Sequence, residues 1–293
     1  MVLRRFTFPS LEVVIVYFNS SLSKFYKVLF QQMFIWYLYG FPSWIGELRM
    51  SILSTNKLRR LSLGFPALDD VFLGFELSDF AVLRGNAASF MSFVLSVRSQ
   101  LPLEHGGLGS STVFVDGGNL FSPYSIAEIA RGCGLDYQAV LDKVYVSRAF
   151  TVYQLSSLIL EKLCSVLRKT KARLLIVSDI TSLFLDRDVS KAEARELFMK
   201  VCSKLAQIAS EERAIVAVSY FPRRQSRQGL FFEAILFGKC TVLIRLKRKG
   251  RVINFILEDH PRIKPFNMDF TADHASSTTF MESGSLGENH SIL

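Results

Sequence analysis

The sequence contains few cysteines and none of the paired cysteine motifs that mark metal sites or disulfide frameworks. Its four cysteines are far apart in the chain, at Cys133, Cys164, Cys202 and Cys240. Single cysteines in apolar stretches are typical of buried thiols in a reducing compartment. The sequence therefore predicts no metal site and favours a cytoplasmic location.

Acidic residues are also in short supply, with 26 against 35 lysines and arginines and a formal net charge of +9. This balance is consistent with a polyanion partner such as a nucleic acid, although an ordinary solvated basic surface has the same composition. Because 49% of the residues are hydrophobic, the chain as a whole is not disordered, and its length allows a large buried core.

The sequence lacks an uninterrupted apolar run that could cross a membrane. Residues 28–45 are nearly free of charge, but Gln31, Gln32, Gly40 and Pro42 interrupt them. A membrane span needs about 20 consecutive apolar residues, and a secretory signal would place its apolar core earlier and end in small residues. We therefore expect no membrane partner.

The amino-terminal segment, residues 1–49, differs from the rest of the chain in its high aromatic content. Three interpretations stay open: an interfacial or partner-binding helix, an extra helix packed on the main domain, or upstream sequence outside the natural product, with Met50 as the true start. We predict a core domain over residues 50–271. Residues 272–293, rich in Ser, Thr, Gly and Asn, are predicted to be disordered.

What the sequence does contain is a strand, loop and helix pattern of the kind that binds phosphates. The apolar run 80–83 leads into a small-residue loop at Gly85 and then into apolar residues at helical spacing. In a phosphate-binding loop, backbone N–H groups surround the phosphates and a lysine neutralises them. The positions of the second glycine and the lysine hold Phe90 and Met91, so only Gly85 and the metal-ligand position Ser92 are retained.

Beyond Met50, short apolar runs alternate with helical patterns, which predicts an α/β fold with a mainly parallel central sheet flanked by helices. The candidate strands are residues 80–83, 112–115, 143–146, 174–177, 214–219, 241–247 and 252–257. The last two are separated by a short basic turn and are predicted to form an antiparallel hairpin at one edge of the sheet. Ser122 followed by Pro123 predicts a helix start.

Several colinear segments carry a resemblance to a known family. They are residues 61–69, 100–107, 113–116, 135–150, 174–177 and 259–261 with Pro265. Taken together, residues 61–271 resemble the ATPase core of the RadA/RecA-type strand-exchange recombinases and their paralogues. The resemblance implies a RecA-like P-loop fold and a role in DNA repair and homologous recombination.

The family's catalytic side chains are missing at the matching positions. The phosphate-binding lysine is replaced by Met91, and the glutamate that polarises the attacking water is replaced by Gly118. Without such a base, hydrolysis loses a factor of roughly 10² to 10⁴. The metal-side aspartate is replaced by Ser178, and the polar pair that senses the nucleotide by Tyr220 and Phe221.

One acidic residue, Asp179, follows Ser178 directly, but on a regular strand its side chain would point to the opposite face unless the strand is bulged. We therefore expect no catalytic residue. ATP and magnesium are expected at most as weak ligands, held through Gly85 and Ser92.

Two basic segments are candidates for DNA contacts. In the family, the loop after the 214–219 strand binds single-stranded DNA, and here it maps to residues 221–232, with Arg223, Arg224 and Arg227 followed by two phenylalanines. Phosphate contacts and base stacking suit that composition. It is equally typical of a solvated basic turn whose phenylalanines belong to the next core helix.

Along the first strand of the predicted hairpin, Arg245, Lys247 and Lys249 alternate with residues that are predicted to face the core, Val242, Ile244 and Leu246. These cations would form a ridge next to Arg248 and Arg251. Cations on edge strands also serve merely to block aggregation, so both interpretations of the ridge stay open.

Asp259 and Pro261 match the segment that, in the family, caps the nucleotide of the neighbouring subunit. A subunit that caps but does not hydrolyse would bind one end of a recombinase filament. The resemblance thus implies a nucleoid-associated, non-catalytic paralogue that binds single-stranded DNA, an active RadA-type recombinase or another paralogue. The alternatives are a divergent DNA-dependent ATPase with weak ATP binding and a structural relict tethered by residues 1–49.

Overall fold

The computed structural model describes residues 3–8, 11–16, 59–222 and 226–271. The chain divides into two units between Leu58 and Arg59. In the first unit, β1 (Leu3–Phe8) pairs antiparallel with β2 (Leu11–Val16). The aromatic stretch 28–45 and the tail 272–293 lie outside the described residues. No helix in the described ranges is long and apolar enough to span a membrane.

The second unit begins with a short antiparallel pair and continues into a large sheet. The short pair consists of β3 (Arg60–Leu61) and β4 (Phe75–Glu76). The sheet strands are β5 (Phe80–Arg84), β6 (Thr112–Asp116), β7 (Val144–Arg148), β8 (Leu174–Ser178), β9 (Ile215–Tyr220), β10 (Val242–Lys249), β11 (Val252–Asp259) and β12 (Phe266–Thr271). Their spatial order is β12-β11-β10-β5-β9-β8-β6-β7. All pairs from β10 to β7 are parallel, which confirms the predicted sheet.

Helices connect the strands and cover both faces of the sheet. They are α1 (Pro66–Phe72), α2 (Ala88–Arg98), α3 (Pro123–Gly132), α4 (Tyr137–Leu141), α5 (Val152–Ser157), a π-helical turn (Leu158–Lys162), α6 (Leu163–Thr170), α7 (Lys191–Glu211) and α8 (Arg227–Phe237). The hydroxyl of Ser122 accepts a hydrogen bond from the N–H of Ser125 at 3.2 Å, and Pro123 occupies the first turn of α3. This confirms the helix start that the sequence predicts.

The inner strands β5, β6, β8 and β9 are apolar because both of their faces are buried. Along β5, Ala81 and Leu83 belong to one hydrophobic cluster with α2 and α3, whereas Phe80 and Val82 belong to a second cluster with α5 to α8. Parallel sheets covered by helices on both sides require such continuous apolar runs. The same order brings the carboxyl ends of β5, β6, β8 and β9 to one edge, where the candidate site lies.

The predicted antiparallel hairpin is confirmed and lies at one end of the sheet, with one further strand outside it. β10 and β11 pair antiparallel as expected, and β12 then pairs antiparallel with β11 and forms the edge. The alternation of Asn267 and Asp269 with apolar residues in β12 is typical of a half-buried strand. The prediction missed this strand because Asn and Asp are depleted in strands and no β-branched run is present. The cations of β10 therefore do not protect a sheet edge.

Candidate functional site

The loop after β5 is held against its own sheet. The N–H of Gly85 donates to the carbonyl of Tyr220 at 3.1 Å. Gly85 has φ of +108°, and a Cβ at this position would overlap the carbonyl oxygen of Leu246. Only glycine combines that conformation with that close approach.

The side chain of Asn86 joins the loop to β10 by two hydrogen bonds. Its Oδ1 accepts from the N–H of Arg248 at 2.7 Å, and its Nδ2 donates to the Arg248 carbonyl at 3.1 Å. The guanidinium of Arg248 lies 5.6 Å from the ring centroid of Phe90. The side chain of Asn86 thus forms the two hydrogen bonds with the Arg248 backbone that a neighbouring strand would form. These bonds attach the loop that would surround phosphates to β10. Sequence reasoning missed Asn86, because a single polar residue among small ones gives no signal of its partner.

Met91 and Ser92 hold the two positions that would contact a triphosphate and its metal, and both side chains are buried. α2 begins at Ala88, inside the loop segment, and Met91 is 1% exposed within the cluster beneath it. Ser92 is fully buried, and its hydroxyl donates to the carbonyl of Ala88 at 3.0 Å. The backbone N–H of Met91 donates to Ala87 at 3.0 Å. Of the sequence-predicted pair, Gly85 lies in the loop and Ser92 in the core.

Asp116, at the end of β6, is the centre of a buried hydrogen-bond network. Its carboxylate accepts from the hydroxyl of Ser178 at 2.7 Å, from the N–H groups of Leu120 and Phe121, and from Nε of Arg148 at 3.1 Å. Burial raises the pKa of Asp116, but these hydrogen bonds and the Arg148 charge outweigh it, so the pKa lies below its ordinary value. The serine in the metal-side position is therefore a structural partner of this carboxylate.

Asp179 reaches the site through an unusual backbone conformation. The β6–β8 register is regular through Asp116 and Ser178, and Asp179 then adopts φ of +43°. Its Cβ would lie 2.6 Å from a Cβ placed on Gly118. The left-handed conformation, and not a strand bulge, brings this carboxylate beside the position of the missing glutamate, and no side chain fits there without displacing Asp179.

Tyr220 occupies the position of the nucleotide-sensing polar pair and is part of the core. It is 4% exposed, and its hydroxyl donates to Oε1 of Glu233 on α8 at 2.8 Å. Burial and this acceptor raise the pKa of Tyr220, so the phenol stays neutral at every physiological pH. Its role in the structure is to join β9 to α8.

A comparison with models of protein families identifies the family of the chain. Residues 61–227, more than half of the chain, match the model of the Rad51 family. The chain belongs to the Rad51 family. This confirms the resemblance to the recombinases and the RecA-like fold, and it places this Rad51-family chain in a family of DNA- and ATP-binding proteins of recombination and repair.

The segment that the sequence predicts to be a DNA-binding loop, residues 221–232, is partly helical in this Rad51-family chain. Residues 223–225, which include Arg223 and Arg224, lie outside the described residues. Arg227 is the exposed first residue of α8. Phe232 is fully buried, with its ring centroid 4.4 Å from that of Phe198. Base stacking by Phe232 is excluded by this placement, so the interpretation of this phenylalanine as part of the core helix is the correct one.

The hairpin displays its cations on more than one face. Val242, Ile244 and Leu246 are buried while Lys247 and Lys249 are exposed, which confirms the predicted alternation along β10. Arg248 lies on the α2 side, against the phosphate-loop segment. Arg251 is exposed beside the Gly250 turn. Because β10 is an inner strand, edge protection does not account for these cations.

The predicted cap residues, Asp259 and Pro261, lie in an exposed segment that follows an anchored strand end. Asp259 ends β11, and both Asp259 and Pro261 are exposed. The preceding residue, Glu258, accepts from Nη2 of Arg84 at 3.1 Å and forms an ion pair with Arg245. Two arginines on neighbouring strands thus fix the strand end from which the cap segment projects.

His260 and Glu76 hold the other side of this segment. The Nδ1 of His260 accepts from the N–H groups of Arg262 at 3.1 Å and Ile263 at 3.0 Å. Glu76 on β4 pairs with Arg60 at 2.7 Å and with Arg262. Burial raises the pKa of Glu76, but these arginines outweigh it, so the pKa lies below its ordinary value and the carboxylate stays ionised. No sequence signal identifies Glu76, because its partners are distant in the chain.

Proposed function

We propose that this Rad51-family chain is a non-catalytic recombinase paralogue that binds single-stranded DNA and an active recombinase, and so modulates homologous recombination and DNA repair. The observation that carries this proposal is the phosphate-loop segment, whose Asn86 pairs with the backbone of Arg248. The backbone N–H groups of Gly85, Ala87 and Ala88 are also engaged, because they donate to the carbonyls of Tyr220, Leu246 and Gly85. The loop therefore offers few free N–H groups to a nucleotide. The fully buried Ser92 and the 1% exposed Met91 support the same conclusion.

The lack of a catalytic base at Gly118 is a second observation, separate from the phosphate-loop segment, that supports the absence of ATP hydrolysis. Gly118 has no side chain, and the Cβ of Asp179 occupies the adjacent space. Asp116 is engaged by four donors of the protein itself. Weak binding of ATP and magnesium at Gly85 and Ser92 would require α2 to open its first turn, which costs the helical hydrogen bonds formed there.

Single-stranded DNA binding is proposed to use Arg223, Arg224 and Arg227 with the hairpin cations Lys247, Arg248, Lys249 and Arg251. Exposure of Arg227, Lys247, Lys249 and Arg251 supports this set. Phosphate contacts by such side chains release counterions, so the affinity should fall steeply with salt.

Replacing both Lys247 and Lys249 with alanine is expected to weaken single-stranded DNA binding. The log–log dependence of affinity on salt should become shallower by about 0.7 for each phosphate that the variant no longer neutralises. Fluorescence anisotropy with a labelled oligonucleotide over a salt series measures this slope. The matched control replaces the exposed Lys162 and Lys169 of the α5–α6 region and should leave the slope unchanged. An affinity that is independent of salt, or an equal effect of both pairs, would contradict a DNA-binding hairpin.

The cap proposal predicts that Asp259→Ala reduces association with an active recombinase in the presence of ATP. Asp259 is exposed at the end of an anchored strand, so its removal should not disturb the fold. Co-precipitation of the full chain with the recombinase measures the loss, and the exposed Asp188→Ala provides a control of equal charge change. If Asp259→Ala associates as strongly as Asp188→Ala, the carboxylate is not part of the interface.

A further inference from the structure

Every pair of consecutive arginines in the chain is followed, at the second residue, by a serine or a threonine. The three hydroxyl residues placed in this way are Thr7, Ser62 and Ser226. Two arginines at the third and second positions before a hydroxyl form the charge pattern that serine/threonine kinases with an acidic substrate groove recognise. The sequence does not choose among the three, so the choice depends on their surroundings in the fold.

Ser62 is held inside the second unit. Its hydroxyl accepts from Nη2 of Arg98 at 2.6 Å, and its carbonyl accepts from Nε of the same arginine at 3.0 Å. Arg98 is 4% exposed, and the neighbours of Ser62 in the chain, Leu61 and Leu63, are fully buried. A kinase must take up several residues around the hydroxyl as a peptide segment. Phosphorylation of Ser62 would therefore require this part of the fold to open.

Thr7 belongs to the first unit and has an acidic residue beside it. In the antiparallel pair of β1 and β2, Thr7 is in register with Glu12. An acidic residue next to the hydroxyl is unfavourable for a kinase groove that is itself acidic. The pairing therefore disfavours Thr7 as a substrate.

Ser226 is exposed at the start of α8, where little holds the first turn of the helix. It is the N-cap residue, and its hydroxyl accepts from the N–H of Gly229 at 3.0 Å. Nε2 of Gln228 donates to the carbonyl of Phe184 at 3.3 Å, and the first fully buried side chain of α8 is Phe232, in the second turn. A glycine inside a helix weakens it further. A kinase thus has few contacts to break when it takes up Ser226.

The surroundings of Ser226 also accommodate a phosphate group. The first turn of α8 contains no acidic residue, and the exposed Arg227 follows Ser226 directly. The first N–H groups of a helix have no intrahelical acceptor and carry partial positive charge. A phosphoserine at a helix N-terminus is stabilised by such donors and by a neighbouring arginine.

We infer that Ser226 is a phosphorylation site for a serine kinase that recognises arginines before the hydroxyl. In this step the Oγ of Ser226 attacks the γ-phosphorus of ATP, the bond from that phosphorus to the bridging oxygen breaks, ADP leaves, and the hydroxyl proton passes to the general base of the kinase. The phosphate adds about −1.5 to −2 charges to a segment whose sequence contains Arg223, Arg224 and Arg227. Phosphorylation therefore weakens the binding of single-stranded DNA. This regulation rests on the proposed DNA binding, whereas the modification itself does not.

The modification is tested on the full chain with ATP and the catalytic subunit of the cyclic-AMP-dependent kinase, with the modified residues located by mass spectrometry. We expect Ser226 to be modified at least about tenfold faster than Ser62, because only Ser62 requires the fold to open. The control is a peptide of residues 57–66, in which Ser62 should be modified readily. Absence of phosphate at Ser226, or an equal rate at Ser62 in the folded chain, would overturn the inference.

The effect on DNA is measured by anisotropy with a labelled single-stranded oligonucleotide. Phosphorylation should weaken binding by the parent about tenfold, and kinase treatment of Ser226→Asn, which keeps a good N-cap residue, should leave its affinity unchanged. Ser226→Asp should bind less tightly than Ser226→Asn, since the two differ only in charge. The matched control is the same pair of substitutions at Ser190, the exposed N-cap of α7, which should have equal affinities.

The two readouts separate this inference from the proposed function. If phosphorylated and unmodified chains bind DNA equally, the regulation by Ser226 is refuted while the proposed DNA binding stands. If the unmodified chain does not bind DNA, the proposed DNA binding fails, and the regulation fails with it. The modification of Ser226 is decided by mass spectrometry in either case.

Discussion

Met91→Lys, which restores the lysine of a phosphate-binding loop, is expected to destabilise the protein without creating an ATPase. Met91 is 1% exposed and packs in the cluster between α2 and the sheet. An uncompensated charge at such a position lowers the free energy of unfolding by about 3 to 5 kcal/mol. Chemical denaturation followed by circular dichroism measures the change.

The matched control for this substitution is Met91→Leu, which conserves volume and polarity and should cost less than about 1.5 kcal/mol. If Met91→Lys unfolds at the same denaturant concentration as the parent, or acquires ATP turnover, the side chain at this position reaches the loop surface. Either result would contradict the assignment of this position to the core.

Asp116→Ala is expected to have an effect of comparable size. The substitution leaves the N–H groups of Leu120 and Phe121 and the hydroxyl of Ser178 without their acceptor. Each buried group left unsatisfied costs about 1 to 3 kcal/mol. Ser178 is buried and the two N–H groups are partly buried, so we expect a total loss of about 3 kcal/mol. Arg148 adds less, because its side chain is 39% exposed. Denaturant titration should show this loss, whereas the exposed Asp188→Ala should stay within about 0.5 kcal/mol of the parent.

The same carboxylate predicts a dependence of stability on pH. The pKa of Asp116 is lowered in the folded protein, so its contribution is present above the ordinary aspartate pKa and is lost as the pH falls through the folded value. Asp69 and Asp79 have pKa values raised by burial and act in the opposite sense. The parent should therefore lose more stability than Asp116→Asn as the pH falls through the acidic range, and parallel curves would contradict the network.

The sequence predicts the sheet because its physical signal is local. The inner parallel strands, β5, β6, β8 and β9, are short apolar runs, and they are apolar because helices bury both faces. It also predicts the alternation along β10, where buried and exposed residues follow a period of two. The prediction missed β12 although it has the same alternation, because Asn and Asp are depleted in strands. In the structure, Asn267 and Asp269 accept hydrogen bonds from Asn254 on β11.

The site is less predictable than the fold, since its geometry depends on interactions between distant residues. The sequence identifies Gly118 as a missing base, yet only the structure places the Cβ of Asp179 where a side chain on Gly118 would lie. The sequence likewise shows Asn86 in a small-residue loop but not its pairing with Arg248, which lies 162 positions away. Contacts of this kind join residues that are distant in the chain, and a single sequence does not show which residues are paired.

Phosphate release by the full chain, with and without single-stranded DNA, tests the central claim most directly. A Rad51-family chain whose phosphate-loop segment is bound to β10 should release phosphate at the background rate under both conditions, and Ser92→Ala should change nothing. DNA-stimulated turnover that disappears in Ser92→Ala would show that the loop opens, binds magnesium and supports catalysis, and the non-catalytic assignment would then be wrong.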